Sequence, residues 1–168
     1  MALIVEDGSI VANANTFVTR AELIAYAALR GVVVADVDAS DIPLVRAADY
    51  LLYRESEMKG ARTSMLQTLP YPRTGVEIGV YVVGSDEIPD ALKRAQMQIA
   101  LEVLSGVDVL PTKQAKQFVT MKKLGPIETQ YSEAVELQGQ VMPLLPLVDA
   151  ALAPLLQVGG GTLRAYRA

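Results

Sequence analysis

The segment Arg62–Gly75, RTSMLQTLPYPRTG, constrains this chain more than any other. Pro70 and Pro72 flank a tyrosine, and each proline fixes φ and removes a backbone donor. Neither a helix nor a central strand can run through them. The sequence on both sides reads as helix, so the fold must hold a stiff, irregular loop between two regular elements.

Upstream, Thr19 is a good N-cap, with Glu22 completing a capping box and Val18 and Leu23 placed as a hydrophobic staple. That helix runs to about Arg30 and stops at Gly31. A second helix starts at Ser40 or Asp41, tolerates Pro43 in its first turn, and carries the stripe Leu44, Ala47, Ala48, Leu51 and Leu52. Arg46, Asp49, Arg54 and Glu55 lie around its other faces, and it frays near Lys59-Gly60. Downstream, SDEIPDALKRAQMQIALEVLSG is the strongest helix, starting at Ser85 or Asp86 and ending at Gly106. Ile88, Leu92, Ala95, Ile99 and Val103 line one face of it.

Shorter elements fill the rest. Ala2–Val5 reads as a strand before a turn at Asp7-Gly8, and VEIGVYVVGS as a strand weakened by two glycines. QFVTMKKLGPIETQYSE reads as a hairpin, about 117–133, folded around Leu124-Gly125-Pro126. LPLVDAALAPLLQ is a last short helix that Pro154 ends. The expectation is a mainly α fold: a small bundle of about four helices with a minor β-hairpin, forming one domain over 1–158, and an extended C-terminal arm over 159–168.

Composition narrows the chemistry. With no Cys and no His, thiol and imidazole catalysis are excluded, and zinc or other transition-metal sites nearly so. Asp36, Asp38 and Asp41 are spaced like part of a calcium loop but lack its glycine and closing glutamate, so they read as a polar linker ending in a helix cap. GGGT at 159–162 lacks the lysine of a phosphate-binding loop. No enzyme and no cofactor is expected. The core must be aliphatic, since the chain has no Trp and only two Phe. MALIVEDGS has no basic start and is not expected to be a signal peptide, and no apolar run is long enough for a membrane span.

Two constellations remain. Lys113, Lys116, Lys122 and Lys123 surround Phe118 and Tyr131. A basic hairpin with interleaved aromatics could stack bases, or its lysines could simply guard an edge strand against aggregation. The formal net charge of −4 gives only a weak field for phosphate. The other constellation suits assembly. Prolines stiffen the 62–75 loop, and Arg and Tyr are the types that dominate interface hot spots. Arg62, Tyr71 and Arg73 are the candidate subunit-contact residues; alternatively Tyr71 plugs the chain's own core. Leu163, Arg164, Tyr166 and Arg167 follow a glycine hinge and suit an arm that adds to a partner, or an unattached terminus.

MALIVEDG, ANANTFV, KGARTSMLQTLPYPRTGV, IPDALKRAQMQIALE, KKLGPIETQYSE and PLVDAALAPLL occur here in an order that resembles a group of bacteriophage and prophage proteins. Members of that group often carry the label DnaT-like single-stranded-DNA-binding, and they look like head-to-tail adaptor, or connector, proteins. The resemblance covers nearly the whole chain. It implies a homo-oligomeric ring, roughly twelve copies with head-to-tail contacts, in the virion neck between the portal and a tail terminator or next neck protein. Such a ring is made in the bacterial host cytoplasm, and DNA passes through it without specific binding. The resemblance implies that the C-terminal arm docks on the portal. A net-acidic subunit suits a channel that must not grip DNA. The alternative is a single-stranded-DNA-binding replication accessory protein using the lysine hairpin.

Overall fold

The computed structural model describes residues 2–111 and 143–157, together with the backbone of short strands between 121 and 141. Among these, four α-helices carry the architecture: α1 (Arg20–Ala28), α2 (Asp41–Tyr53), α3 (Asp90–Leu104) and α4 (Pro146–Leu152). Short antiparallel pairs accompany them: β1–β2 (Ala61–Arg62 with Arg73–Thr74), β3–β4 (Glu77–Ile78 with Tyr81–Val82), β5–β6 (Met121–Leu124 with Ile127–Gln130) and β7–β8 (Glu136–Leu137 with Gln140–Val141). The fold is mainly α, as the helical periodicity predicts.

The α1 start follows the capping logic closely. Thr19 Oγ1 accepts from the Glu22 amide, and the Glu22 carboxylate accepts from the Thr19 amide at 2.6 Å. Val18 and Leu23 are fully buried, as a staple requires. Gly31, at φ 72°, follows the end of the helix, and the Val32 amide returns to the Ala27 carbonyl at 3.0 Å. The α2 stripe is buried at Leu44, Ala47, Ala48 and Leu51, whereas Leu52 is partly exposed. α4 begins at Pro146 and passes into a 3-10 turn, Ala153–Leu155, at Pro154.

Four expectations need correction. Ala2–Val5 forms no strand; the chain there makes one parallel bridge, Val5 to Thr16. The reason is Glu6, whose buried carboxylate accepts the amides of Gly8, Ile10 and Val11 at 2.9, 3.0 and 2.9 Å and curls the chain. Gly8 closes this turn at φ 108°, where a Cβ would lie 1.8 Å from the Asp86 carbonyl oxygen. Second, α3 starts at Asp90 and not at Ser85 or Asp86, because Pro89 at its N-cap is extended (ψ 139°). Third, residues 77–82 form a complete hairpin and not a single strand, since Gly79 at φ 64° permits a two-residue turn. Fourth, neither Ser40 nor Asp41 caps α2 with its side chain; Ser40 Oγ donates to the Ala35 carbonyl, and Asp41 is held by Arg20.

The sequence-predicted hairpin at 117–133 is present in its centre. Leu124 pairs with Ile127 and Met121 with Gln130; the expected turn at Gly125-Pro126 lies outside the described residues. The outer residues of that hairpin, and the arm at 159–168, lie outside the described residues.

α3 is the central element, packing against α2, α4 and α1. Leu92, Ala95, Ile99 and Ala100 are fully buried among Leu23, Leu44, Leu51, Leu152 and Leu155. The core is aliphatic, with Met58, Phe17 and Tyr71 as the larger fillers. At its middle sits Gln96, also fully buried. Its Oε1 accepts the Phe17 amide at 2.9 Å; its Nε2 donates to Thr16 Oγ1 at 3.0 Å and to the Leu44 carbonyl at 2.9 Å. One amide thereby joins the N-terminal segment and α2 to α3. Gln96→Leu keeps the volume but leaves the Phe17 amide buried without a partner. We expect a loss of about 1–3 kcal/mol in urea unfolding; an unchanged midpoint would show that the amide is not a structural tie.

Candidate functional site: the arginine-clamped loop

The loop at 62–75 is organised by one carboxylate. Glu55 lies in a 3-10 turn, Arg54–Glu57, that continues α2. Arg62 Nε donates to Glu55 Oε1 at 2.6 Å and its Nη2 to Oε2, a bidentate pair. Arg73 Nη1 reaches the same Oε1 at 3.1 Å. Arg62 and Arg73 are also cross-strand partners in the β1–β2 pair, which places both guanidinium groups at one end of the loop.

Arg73 does more than pair with Glu55. Its Nε donates to the Lys59 carbonyl and its Nη2 to the Gly60 carbonyl, both at 2.8 Å. The planar fork satisfies backbone oxygens that a lysine could not reach together. Gln67 sews the loop from inside. Its Oε1 accepts the Ser64 amide at 3.0 Å, and its Nε2 donates to the Leu69 and Pro72 carbonyls at 2.9 and 3.1 Å. Thr68 Oγ1 donates to Ala14 and Thr63 Oγ1 to Ser85, fastening the loop to its neighbours. The Tyr71-Pro72 peptide is cis.

The arginine pair holds the Glu55 carboxyl below its ordinary range, the Arg62 hydrogen bonds being the largest cause. Tyr71 is fully buried in the chain's own core, and its hydroxyl has no hydrogen-bond partner. Burial pushes the phenol up to about 12. The described polar contacts of Arg62 and Arg73 are all made within the chain.

Other arginines are tied in the same way. Arg20 gathers Asp36, Asp38 and Asp41 at 3.2, 2.8 and 2.7 Å, so the aspartates that resemble a calcium loop converge on a guanidinium. That contact is the main cause holding the Asp41 carboxyl low. Arg54 bridges Glu57 and Asp149, joining the end of α2 to α4, and Arg46 pairs with Asp108. Lys122 and Lys123 lie on β5 opposite Thr129 and Glu128. Lys113, Lys116, Leu163, Arg164, Tyr166 and Arg167 lie outside the described residues. Sequence reasoning found Arg62, Tyr71 and Arg73 but missed Glu55, Gln67 and Arg20. For Glu55 a signal exists: it sits seven residues before Arg62, on the helix flank nearest the loop.

These features define a small, mainly α protein whose central irregular segment is clamped by arginine–carboxylate pairs. The chain belongs to the family described as "Putative DnaT-like ssDNA binding protein", whose sequence model matches residues 1–168. Comparisons with curated proteins and with solved structures return no match. Of the two functions expected from the sequence, the family description speaks for single-stranded-DNA binding.

Two outcomes test the clamp. Glu55 has a depressed folded pKa, so its contribution is present above the ordinary glutamate value of 4.5 and is lost as pH falls through the folded value. Glu55→Gln is expected to cost about 1–3 kcal/mol at pH 7, the partial exposure of the group reducing the full buried-pair cost. The gap to the parent should narrow below pH 4.5; a gap independent of pH would contradict the ionic clamp. Tyr71→Phe should be neutral or stabilising in the isolated chain, because the lost hydroxyl has no partner, whereas Tyr71→Ala should cost about 3–5 kcal/mol. Thermal unfolding of the two variants checks this.

Proposed function

We propose that the chain is a structural subunit on the path of DNA: a head-to-tail adaptor of a tailed bacteriophage, assembled as a ring between portal and tail or neck proteins. The observation that carries this reading is where the positive charge goes. Arg20, Arg46, Arg54, Arg62 and Arg73 each bond a carboxylate of the same chain, and the net charge is −4. Among the described residues Arg30 and Arg94 are exposed without such a partner. A body in which most guanidinium groups are already paired offers less counterion-releasing surface to phosphate than its arginine content suggests. The resemblance of the sequence to phage connector proteins points the same way.

The apolar surface also supports assembly. Met65 and Leu66, 97% and 87% exposed, stand at the outer edge of the clamped loop. Solvent-exposed Leu144 and Leu147 lie at the start of α4. In this reading Arg62, Tyr71 and Arg73 act on a subunit contact indirectly, by holding rigid the loop that presents Met65 and Leu66.

A second reading has its own support. The family description names single-stranded DNA directly, and it favours a replication accessory protein over an adaptor. That reading places binding on the hairpin with Lys113, Lys116, Lys122 and Lys123.

Quantitative mass spectrometry of purified, DNA-filled virions separates the two. The adaptor reading expects about one copy per portal subunit, and weak oligonucleotide binding that Lys122→Glu with Lys123→Glu leaves unchanged. Absence from virions would overturn it. Salt-sensitive binding to single-stranded oligonucleotides, weakened by the same pair of substitutions, would establish the second reading.

A further inference from the structure

A groove of about 480 Å³ opens between Lys59, Gly60, Gly75, Glu77, Gly79 and Gln157. Three of these residues are glycines, so much of its floor is bare backbone. One wall is the β3–β4 hairpin. Beyond that wall Val80, Tyr81 and Val82 are 90%, 77% and 71% exposed, three consecutive apolar residues that nothing in the described chain covers. A two-stranded hairpin with such a tip gains little from standing alone in water.

The chain itself arrives at this groove. Leu156 forms an antiparallel bridge with Met58, the Gln157 amide donates to the Glu57 carbonyl at 2.7 Å, and Gln157 Nε2 donates to the Met58 carbonyl at 3.0 Å. Gln157 is therefore fixed on the groove's rim, held beside 57–59 by a single antiparallel bridge and its flanking backbone hydrogen bonds. Residues 158–168, VGGGTLRAYRA, follow directly. Fully extended they span at most about 40 Å, several times the width of a groove of about 480 Å³.

Composition matches the segment to the surface. Leu163 and Tyr166 are the apolar residues beyond the glycines, and Arg164 and Arg167 come with no acidic side chain. The surface offers the apolar tip, the Glu77 carboxylate on a rim where the Lys59 ammonium is turned onto the Glu77 and Pro154 carbonyls, and a chain that is net acidic. We propose that the C-terminal segment of the same chain docks over this groove in the free protein, with Leu163 and Tyr166 against the Val80–Val82 tip and its arginines toward Glu77. Any partner that takes the C-terminal segment must then displace it from its own body. The inference concerns the free chain and does not rest on the adaptor reading.

The absence of cysteine makes the test clean. In the full chain carrying Val80→Cys and Tyr166→Cys, mild oxidation at high dilution should give an intramolecular disulfide, read as a faster-migrating monomer that has lost two hydrogens in intact mass. Both substituted positions avoid the described core, so folding should be preserved. Adding Arg164→Glu and Arg167→Glu should lower the yield about fivefold, because attraction to Glu77 and to the net-acidic body turns into repulsion. A monomer that stays reduced would overturn the proposal. So would disulfides that form only between chains, shown by mixing isotopically light and heavy protein, because the occupant would then be a second copy.

Discussion

The fold depends on one buried amide. Gln96 stands in the middle of α3, the helix against which α1, α2 and α4 pack, and it is as buried as the leucines around it. An unpaired amide there would be strongly unfavourable; fully bonded, it discriminates between correct and incorrect packing. Its oxygen requires the Phe17 amide and its nitrogen requires Thr16 and the Leu44 carbonyl. Those requirements are met only when the curled N-terminal segment and α2 sit in one register against α3. Aliphatic packing alone tolerates sliding; three directional bonds at the centre do not.

The N-terminal segment can meet that demand because it is shaped locally first. The Glu6 carboxylate collects three successive amides, and Gly8 brings the turn against the Asp86 carbonyl. The curl begins directly after Val5, so the pairing of the apolar Ala2–Val5 stretch with 15–16 ends in a single bridge. Strand propensity in Ala2–Val5 is a preference of a few tenths of a kilocalorie per residue. A buried carboxylate on backbone amides outweighs it.

What was legible in the sequence follows from the range of the interaction responsible. The start of α1, the α2 stripe at Leu44, Ala47, Ala48 and Leu51, the break of α4 at Pro154 and the pairing of Leu124 with Ile127 all depend on residues within a few positions of one another, and all appear where the pattern places them. The α3 start lies beyond the Ser85 and Asp86 capping signal because Pro89, extended at ψ 139°, forms the cap. The clamp itself was legible only in part. Arg62, Tyr71 and Arg73 stand out by type, but Glu55 looks like any helix-flank carboxylate until the β1–β2 pair turns both arginines toward it. Asp36, Asp38 and Asp41 show the same limit, since their partner Arg20 lies on the preceding helix. Spacing reports neighbours along the chain, and a salt bridge across a loop is not a neighbour in that sense.

The use of arginine carries the argument from fold to function. Arginine is favoured for recognition because its fork binds carboxylate or phosphate bidentately. Here the same property is turned inward, closing the 62–75 loop, tying α2 to α4 and anchoring the α1–α2 linker. A group that already bonds a carboxylate at hydrogen-bond distance must break that bond before it can meet a phosphate, so such a side chain adds little to DNA affinity. The described body also presents apolar side chains outward, at Met65-Leu66 and at Val80–Val82, beside exposed charges such as Arg30 and Arg94. Apolar contacts strengthen little with falling salt, whereas phosphate contacts weaken steeply as salt rises. The apolar patches support the protein-contact reading proposed above. Any strong, salt-dependent grip on DNA would have to come from the lysine hairpin or from the cationic C-terminal segment.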